Sequence, residues 1–163
     1  MARTVEFNEC EIIDKAMNVF WEKGYQATSM QDLVDAMQIN RSSIYNSFGD
    51  KHQLFMKCIS IYFDNAMLEI KEKVAKQSSA KQALINIITD KAAWIVDCDK
   101  GCLGIKTVFE IAPEDNEVRK QMSKNNEIFL QFLAEVVQKA IDDKELDGSE
   151  DATLMAEYIM TSF

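Results

Sequence analysis

Apolar residues return every three or four positions along almost the whole chain, and no stretch alternates in the manner of a strand. The pattern predicts an all-α fold. A first helix over residues 8–23 places Ile13, Ala16, Met17 and Phe20 on one face, and Gly24 ends it. Thr28 and Ser29 then offer N-caps, with Gln31 and Asp32 three residues on as capping-box partners. They open a short second helix that buries Met30, Leu33, Val34 and Met37. Ile39 and Asn40 form a turn, and Asn40 caps a third helix over 41–48, closed by Gly49. Asp50, with Gln53, caps a long fourth helix reaching about residue 77.

Ser78 or Ser79 starts a fifth helix that ends near residue 97, before the polar connection DCDKGC. A sixth helix over 103–112 stops at Pro113. The seventh spans 115–142, with Val118, Met122, Phe129, Leu133, Val136 and Ala140 on its inward stripe. Ser149 starts an eighth, with Ala152, Met155, Ile159 and Phe163 on one face. The sequence ends at MTSF in mid-pattern, without a glycine, a cap or a basic last turn. The stripe of Met155, Ile159, Met160 and Phe163 therefore needs cover, from a partner or from further chain.

Composition changes this picture little. The sequence has 163 residues, 47% apolar and 28% charged, with one proline, which suits a globular helical protein. MARTVEFNE lacks the apolar core of a signal peptide, and no run approaches membrane-spanning length, so a cytoplasmic protein is expected. Charge changes more. The net charge of −9 argues against a nucleic-acid partner, but residues 1–57 hold six Lys/Arg against eight Asp/Glu. A nucleic-acid face is possible there on few cations.

No metal site or cofactor is expected. Of the four cysteines (Cys10, Cys58, Cys98 and Cys102), the last two lie four apart, and the single histidine, His52, is remote. Without a secretory signal, reduced thiols are expected. Cys98 and Cys102 are candidates for oxidation or electrophile attack. Lys100 would lower a thiol pKa there, while Asp97 and Asp99 oppose it, so idle thiols are the expectation.

The segment QINRSSIYNSFGDKHQLF carries the chemistry. Two short helices joined by a tight turn and preceded by a supporting helix are the layout of a helix-turn-helix. Ile44 and Phe48 point inward with Ile39, leaving Arg41, Ser42, Ser43, Tyr45, Asn46 and Ser47 as the surface. These short donors and acceptors, with one guanidinium and one phenol, suit phosphates and base edges. Helix N-termini bind phosphate without lysine, and two flank this helix: one at Thr28 and Ser29, one beside Lys51. A capped surface helix in a plain bundle is the alternative.

The run from Ile13 to Phe55 resembles the N-terminal domain of TetR-family (TetR/AcrR-like) transcriptional repressors. Ala16, Phe20, Gly24, Tyr25, Thr28, Ser29, Leu33, Ala36, Ile39, Ser43, Ile44, Tyr45, Phe48, Lys51 and Leu54 carry the likeness, most specifically in SSIYNSFGDKHQLF. The resemblance implies that Thr28, Tyr45 and Lys51 bind phosphates, while Arg41, Ser42, Ser43 and Asn46 face bases or phosphates. Met37 stands close to where the family usually has glycine, so a reshaped turn is expected.

Residues 1–50 then form the DNA-binding domain and 51–163 a ligand-binding and dimerisation domain. GCLGIKTVFEIAPEDNEVRKQM is similar to one subgroup of the family, which implies a helical chamber for a small apolar or aromatic effector and a homodimer formed by the last two helices. Candidate chamber residues are Phe63, Met67, Trp94, Phe109, Met122, Phe129 and Tyr158. Asn126 falls between Met122 and Phe129, where an amide is costly unless paired. It binds a ligand polar group or bonds a neighbouring helix. The dimer is expected to bury Met155, Ile159 and Phe163.

The expected function is a DNA-binding, ligand-responsive repressor that releases operator DNA. A helical protein-interaction module that kept the fold is the alternative. An enzyme is not expected: the sequence has no Ser-His-Asp set, no HExxH and no Gly-rich phosphate loop.

Overall fold

The computed structural model describes residues 9–97, 101–149 and 151–162, with the side chains of 94–97 left out. Eight helices follow one another among the described residues: α1 Glu9–Lys23, α2 Met30–Met37, α3 Arg41–Phe48, α4 Lys51–Ala75, α5 Ala80–Asp97, α6 Leu103–Glu110, α7 Asn116–Asp142 and α8 Ala152–Thr161.

Local capping sets most of these starts. Ser29 caps α2 in a reciprocal box with Asp32. Asn40 Oδ1 accepts the Ser43 N–H at 2.8 Å to cap α3. Asp50 and Gln53 exchange backbone and side-chain bonds at 2.8 and 3.1 Å at the head of α4. The start of α8 differs from expectation. Asp151, not Ser149, caps it, because Asp151 Oδ1 reaches the Leu154 N–H at 2.9 Å.

The turn after α2 resolves the Met37 question. Met37 is 1% exposed and belongs to the core, while Gln38 takes the left-handed conformation at φ 57°. That is the position where glycine would be strain-free. The Gln38 amide donates to the Asp35 carbonyl.

The chain forms two compact units. The first joins residues 1–62 to 103–119, so it takes in α6 and the first half of α4 as well as the helix-turn-helix. Its centre is aromatic. Phe20 and Phe55 meet edge-to-face at 5.1 Å, and Tyr25 lies 4.9 Å from Phe55. Ile13, Ala16, Leu33, Met37, Ile44 and Leu54 close around them. Cys58 is fully buried here, and burial pushes its thiol up to about 12.

The second unit joins 63–102 to 120–163. Its core is Ala83, Leu84 and Ile87 of α5 with Leu133, Val136, Val137 and Ala140 of α7 and Ala156 of α8. Met155 and Ile159, expected at a dimer face, are half-buried against this core. Ala156 is the fully buried residue of α8, so the stripe turns inward around it. Leu154 (60% exposed) and Tyr158 (75%) hold the open face instead. Phe163, the third residue expected there, lies outside the described residues.

Candidate nucleic-acid interface

α3 divides its eight residues cleanly. Ile44 is completely buried and Phe48 half-buried, which anchors one side. Arg41, Ser42, Tyr45 and Asn46 are exposed, and their i, i+1, i+4 and i+5 spacing places them on one common face. Ser47 is exposed and Ser43 half-buried beside them. The surface therefore presents hydroxyls, an amide, a phenol and one guanidinium, with the helix N-terminus at Asn40 at the same end as Arg41.

Beside it, Ser29 lies exposed at the head of α2, but its hydroxyl is engaged. It donates to Asp32 at 2.8 Å and accepts the Asp32 N–H at 3.1 Å. The Lys23 ammonium, at 2.6 Å, and the Ser29 bonds hold the Asp32 carboxyl well below the usual carboxylate range.

Two residues expected on phosphates do other work. Thr28 is 2% exposed and its hydroxyl donates to the Gly24 carbonyl at 2.6 Å, so its side chain closes the α1–α2 loop from inside. Lys51 is half-buried. Its ammonium donates to the Tyr25 and Thr28 carbonyls, each at 2.9 Å, and stands 4.4 Å over the Tyr25 ring. Two of its three donors are thus spent on the loop.

α6 supplies contacts that sequence reading missed. The Glu110 carboxylate accepts the N–H groups of Tyr25 at 3.2 Å and Gln26 at 2.7 Å. Lys106 donates to the Trp21 carbonyl at 2.9 Å, where α1 is ending. Gly24 fits for two reasons: its φ is +81°, and a Cβ there would meet the Glu110 carboxylate at 2.8 Å. His52, one residue into α4, pairs with Asp115 at 2.7 Å.

Residues 12–58 match the model of bacterial regulatory proteins of the tetR family, and residues 69–163 match a tetracyclin repressor-like C-terminal domain. The chain belongs to the TetR family. It is 28% identical to the HTH-type transcriptional regulator YezE of Bacillus subtilis (strain 168) over 165 residues, covering 99% of this chain and 85% of that protein. The HTH-type transcriptional repressor ComR of Escherichia coli (strain K12) is 27% identical over 161 residues, covering 94% of this chain and 74% of the repressor. A solved structure of the TetR-family regulator CifR, a cysteine mutant complexed with 26-base-pair operator DNA, superposes with a TM-score of 0.84 at 25% identity, covering 98% of this chain and 84% of that one. In this TetR-family chain α2 and α3 are the helix-turn-helix pair.

The C-terminal unit of this TetR protein sorts the chamber candidates. Met122 is buried, and Phe63, Met67 and Phe129 are half-buried. Phe109 (79% exposed) and Tyr158 (75%) are surface residues and line no chamber. Asn126 is exposed. The inward amide is its neighbour Asn125, whose Oδ1 accepts from Gln121 at 3.1 Å while its Nδ2 is buried without a partner. The side chain of Trp94 lies outside the described residues, as does Cys98. Cys102 is a half-buried free thiol, and Cys10 is an exposed one. Among the described residues no group of acidic, His or Cys side chains could hold a metal. No described helix is long and apolar enough to cross a membrane.

Proposed function

We propose that this chain is a homodimeric repressor that reads operator DNA with α3 and releases it when a small molecule enters the C-terminal unit. One observation carries the reading: α3 turns Arg41, Ser42, Tyr45 and Asn46 outward on one face while Ile44 holds it from behind. A helix built only to pack would not give four polar residues to one surface of two turns. Arg41 and Asn46 have the chemistry for base edges, bidentate to guanine and adenine respectively. Tyr45 and the helix N-terminus suit phosphate. Ser42 and Ser43 let the backbone approach.

Specific operator binding requires two copies. One unit with Arg41 as its single α3 cation neutralises few phosphates, and two-fold pairing doubles that number. The exposed Leu154 and Tyr158 of α8 supply an apolar face for self-association.

The test is selection of bound sequences from random duplex DNA with the full-length protein, followed by titration of the enriched site. Enrichment of a palindrome whose half-sites lie about one turn, ~34–36 Å, apart supports the reading. Enrichment of no sequence overturns it and favours the protein-interaction module.

A further inference from the structure

The interior of the C-terminal unit contains hydrogen-bond donors on an otherwise apolar face. On α5, Lys91 continues the stripe of Leu84 and Ile87, both buried in the core. A lysine at that helical register is half-buried, and its ammonium lies 4.8 Å above the Phe129 ring of α7. Burial pushes the Lys91 ammonium below its ordinary pKa, with the nearby Cys102 acting in the opposite direction. One turn before Phe129 on α7 stands Asn125, whose buried Nδ2 has no acceptor. Met122, three residues earlier on the same stripe, is buried.

A buried amide N–H without an acceptor is costly, and so is a lysine ammonium placed against an aromatic ring in the interior. Each cost falls when a negatively charged acceptor arrives. Asn125 and Phe129 are four residues apart, about 6 Å along the helix. A carboxylate that places one oxygen on each donor spans this distance.

We infer that the effector is an organic anion whose carboxylate is held by the Lys91 ammonium and the Asn125 amide N–H, with an apolar or aromatic body against Phe129 and Met122. This rests on the reading of the chain as a ligand-responsive repressor. It adds a charge requirement that an apolar chamber alone would not impose. A neutral compound of the same shape would displace the apolar contacts and leave Asn125 unsatisfied.

The experiment uses the full-length protein and four probe carboxylates, benzoate, phenylacetate, octanoate and decanoate, each beside its primary amide. Binding is read by calorimetry on the DNA-free protein, and separately by release of the selected DNA site. At least one carboxylate is expected to bind at least tenfold more tightly than its amide and to release DNA. Lys91→Met and Asn125→Leu should each weaken that carboxylate at least tenfold, while Lys91→Arg keeps it within threefold. Asn125→Leu carries a second readout that is independent of ligand: removal of the unpaired amide should raise the melting temperature of the free protein. Equal binding of acid and amide by the wild type, or carboxylate binding unaltered in both Lys91→Met and Asn125→Leu, overturns the inference while leaving DNA recognition intact. Loss of DNA selection with carboxylate binding retained would instead remove the repressor reading.

Discussion

The Glu110 carboxylate accepts the Gln26 N–H at 2.7 Å across 84 residues of sequence. With the Tyr25 N–H at 3.2 Å it ties α6 to the loop that leads into the helix-turn-helix. Charge-assisted bonds of this kind contribute more than neutral ones, although the Gln26 side of the contact is open to water. Glu110→Ala is expected to cost about 1–2 kcal/mol in urea unfolding. Glu110→Gln, which keeps one acceptor oxygen, should cost less. Equal stability of all three proteins would show that water replaces the bond without loss.

Thr28 and Tyr45 should separate stability from DNA binding. Thr28→Val removes the bond to the Gly24 carbonyl inside a closed loop, and a loss of about 1 kcal/mol in stability is expected. The salt dependence of DNA binding by the folded variant should stay that of the wild type, because no phosphate contact is removed. Tyr45→Ala should do the reverse, with stability within about 0.5 kcal/mol and weaker binding to every sequence. The measurements are thermal unfolding and binding titrations at several salt concentrations.

Acid sensitivity should run through Asp115. The Val118 and Glu117 N–H groups and His52 hold its carboxyl below the ordinary carboxylate value, the Val118 bond having the largest effect. A carboxyl depressed in the folded state contributes stability above its unfolded value of about 3.9 and loses that contribution as pH falls through its lower folded value. Stability should therefore drop below about pH 4, and Asp115→Asn should flatten this part of the curve while lowering the plateau at neutral pH. A parallel drop in wild type and variant would assign the acid limb to other carboxylates.

The two faces of α8 should respond differently to charge. Tyr158→Glu and Leu154→Glu lie on the open face and should shift a dimer towards monomer in light scattering, with little change in the monomer's own unfolding. Met155→Glu would place a carboxylate among partly buried apolar residues, and a loss of several kcal/mol in stability is expected. Unchanged assembly in a Leu154/Tyr158 double variant would place self-association on another surface.

Much of this was legible because it is local. Asn40 capping through Ser43 and Asp50 pairing with Gln53 need only three residues of sequence, and the two short helices they delimit set the outward face of α3. Side-chain direction within a helix was less legible. From Met122, Asn125 and Asn126 differ by about 60° on one side and 40° on the other at ~100° per residue, so periodicity alone does not choose between them. Packing against the neighbouring helices chooses Asn125. The same limit explains α8, where Ala156 rather than Met155 marks the centre of the buried stripe. Thr28 and Lys51 matched a DNA-facing pattern, yet their partners are carbonyls of the α1–α2 loop. Glu110 gave no signal at all, because its acceptor role depends on how a distant helix docks.

Cys58 gives the DNA-reading unit an internal reporter of its own opening. Its sulfur is fully buried between α1 and α4, 3.8 Å from the Ile13 carbonyl, with the thiol pushed up to about 12. A disulfide reagent reacts with thiolate, so this cysteine stays silent at neutral pH while the helices remain closed. Exposed Cys10 reacts at once and sets the reference. The slow labelling of Cys58 then counts how often α1 parts from α4, and its rate with and without DNA measures how firmly an operator locks that seam.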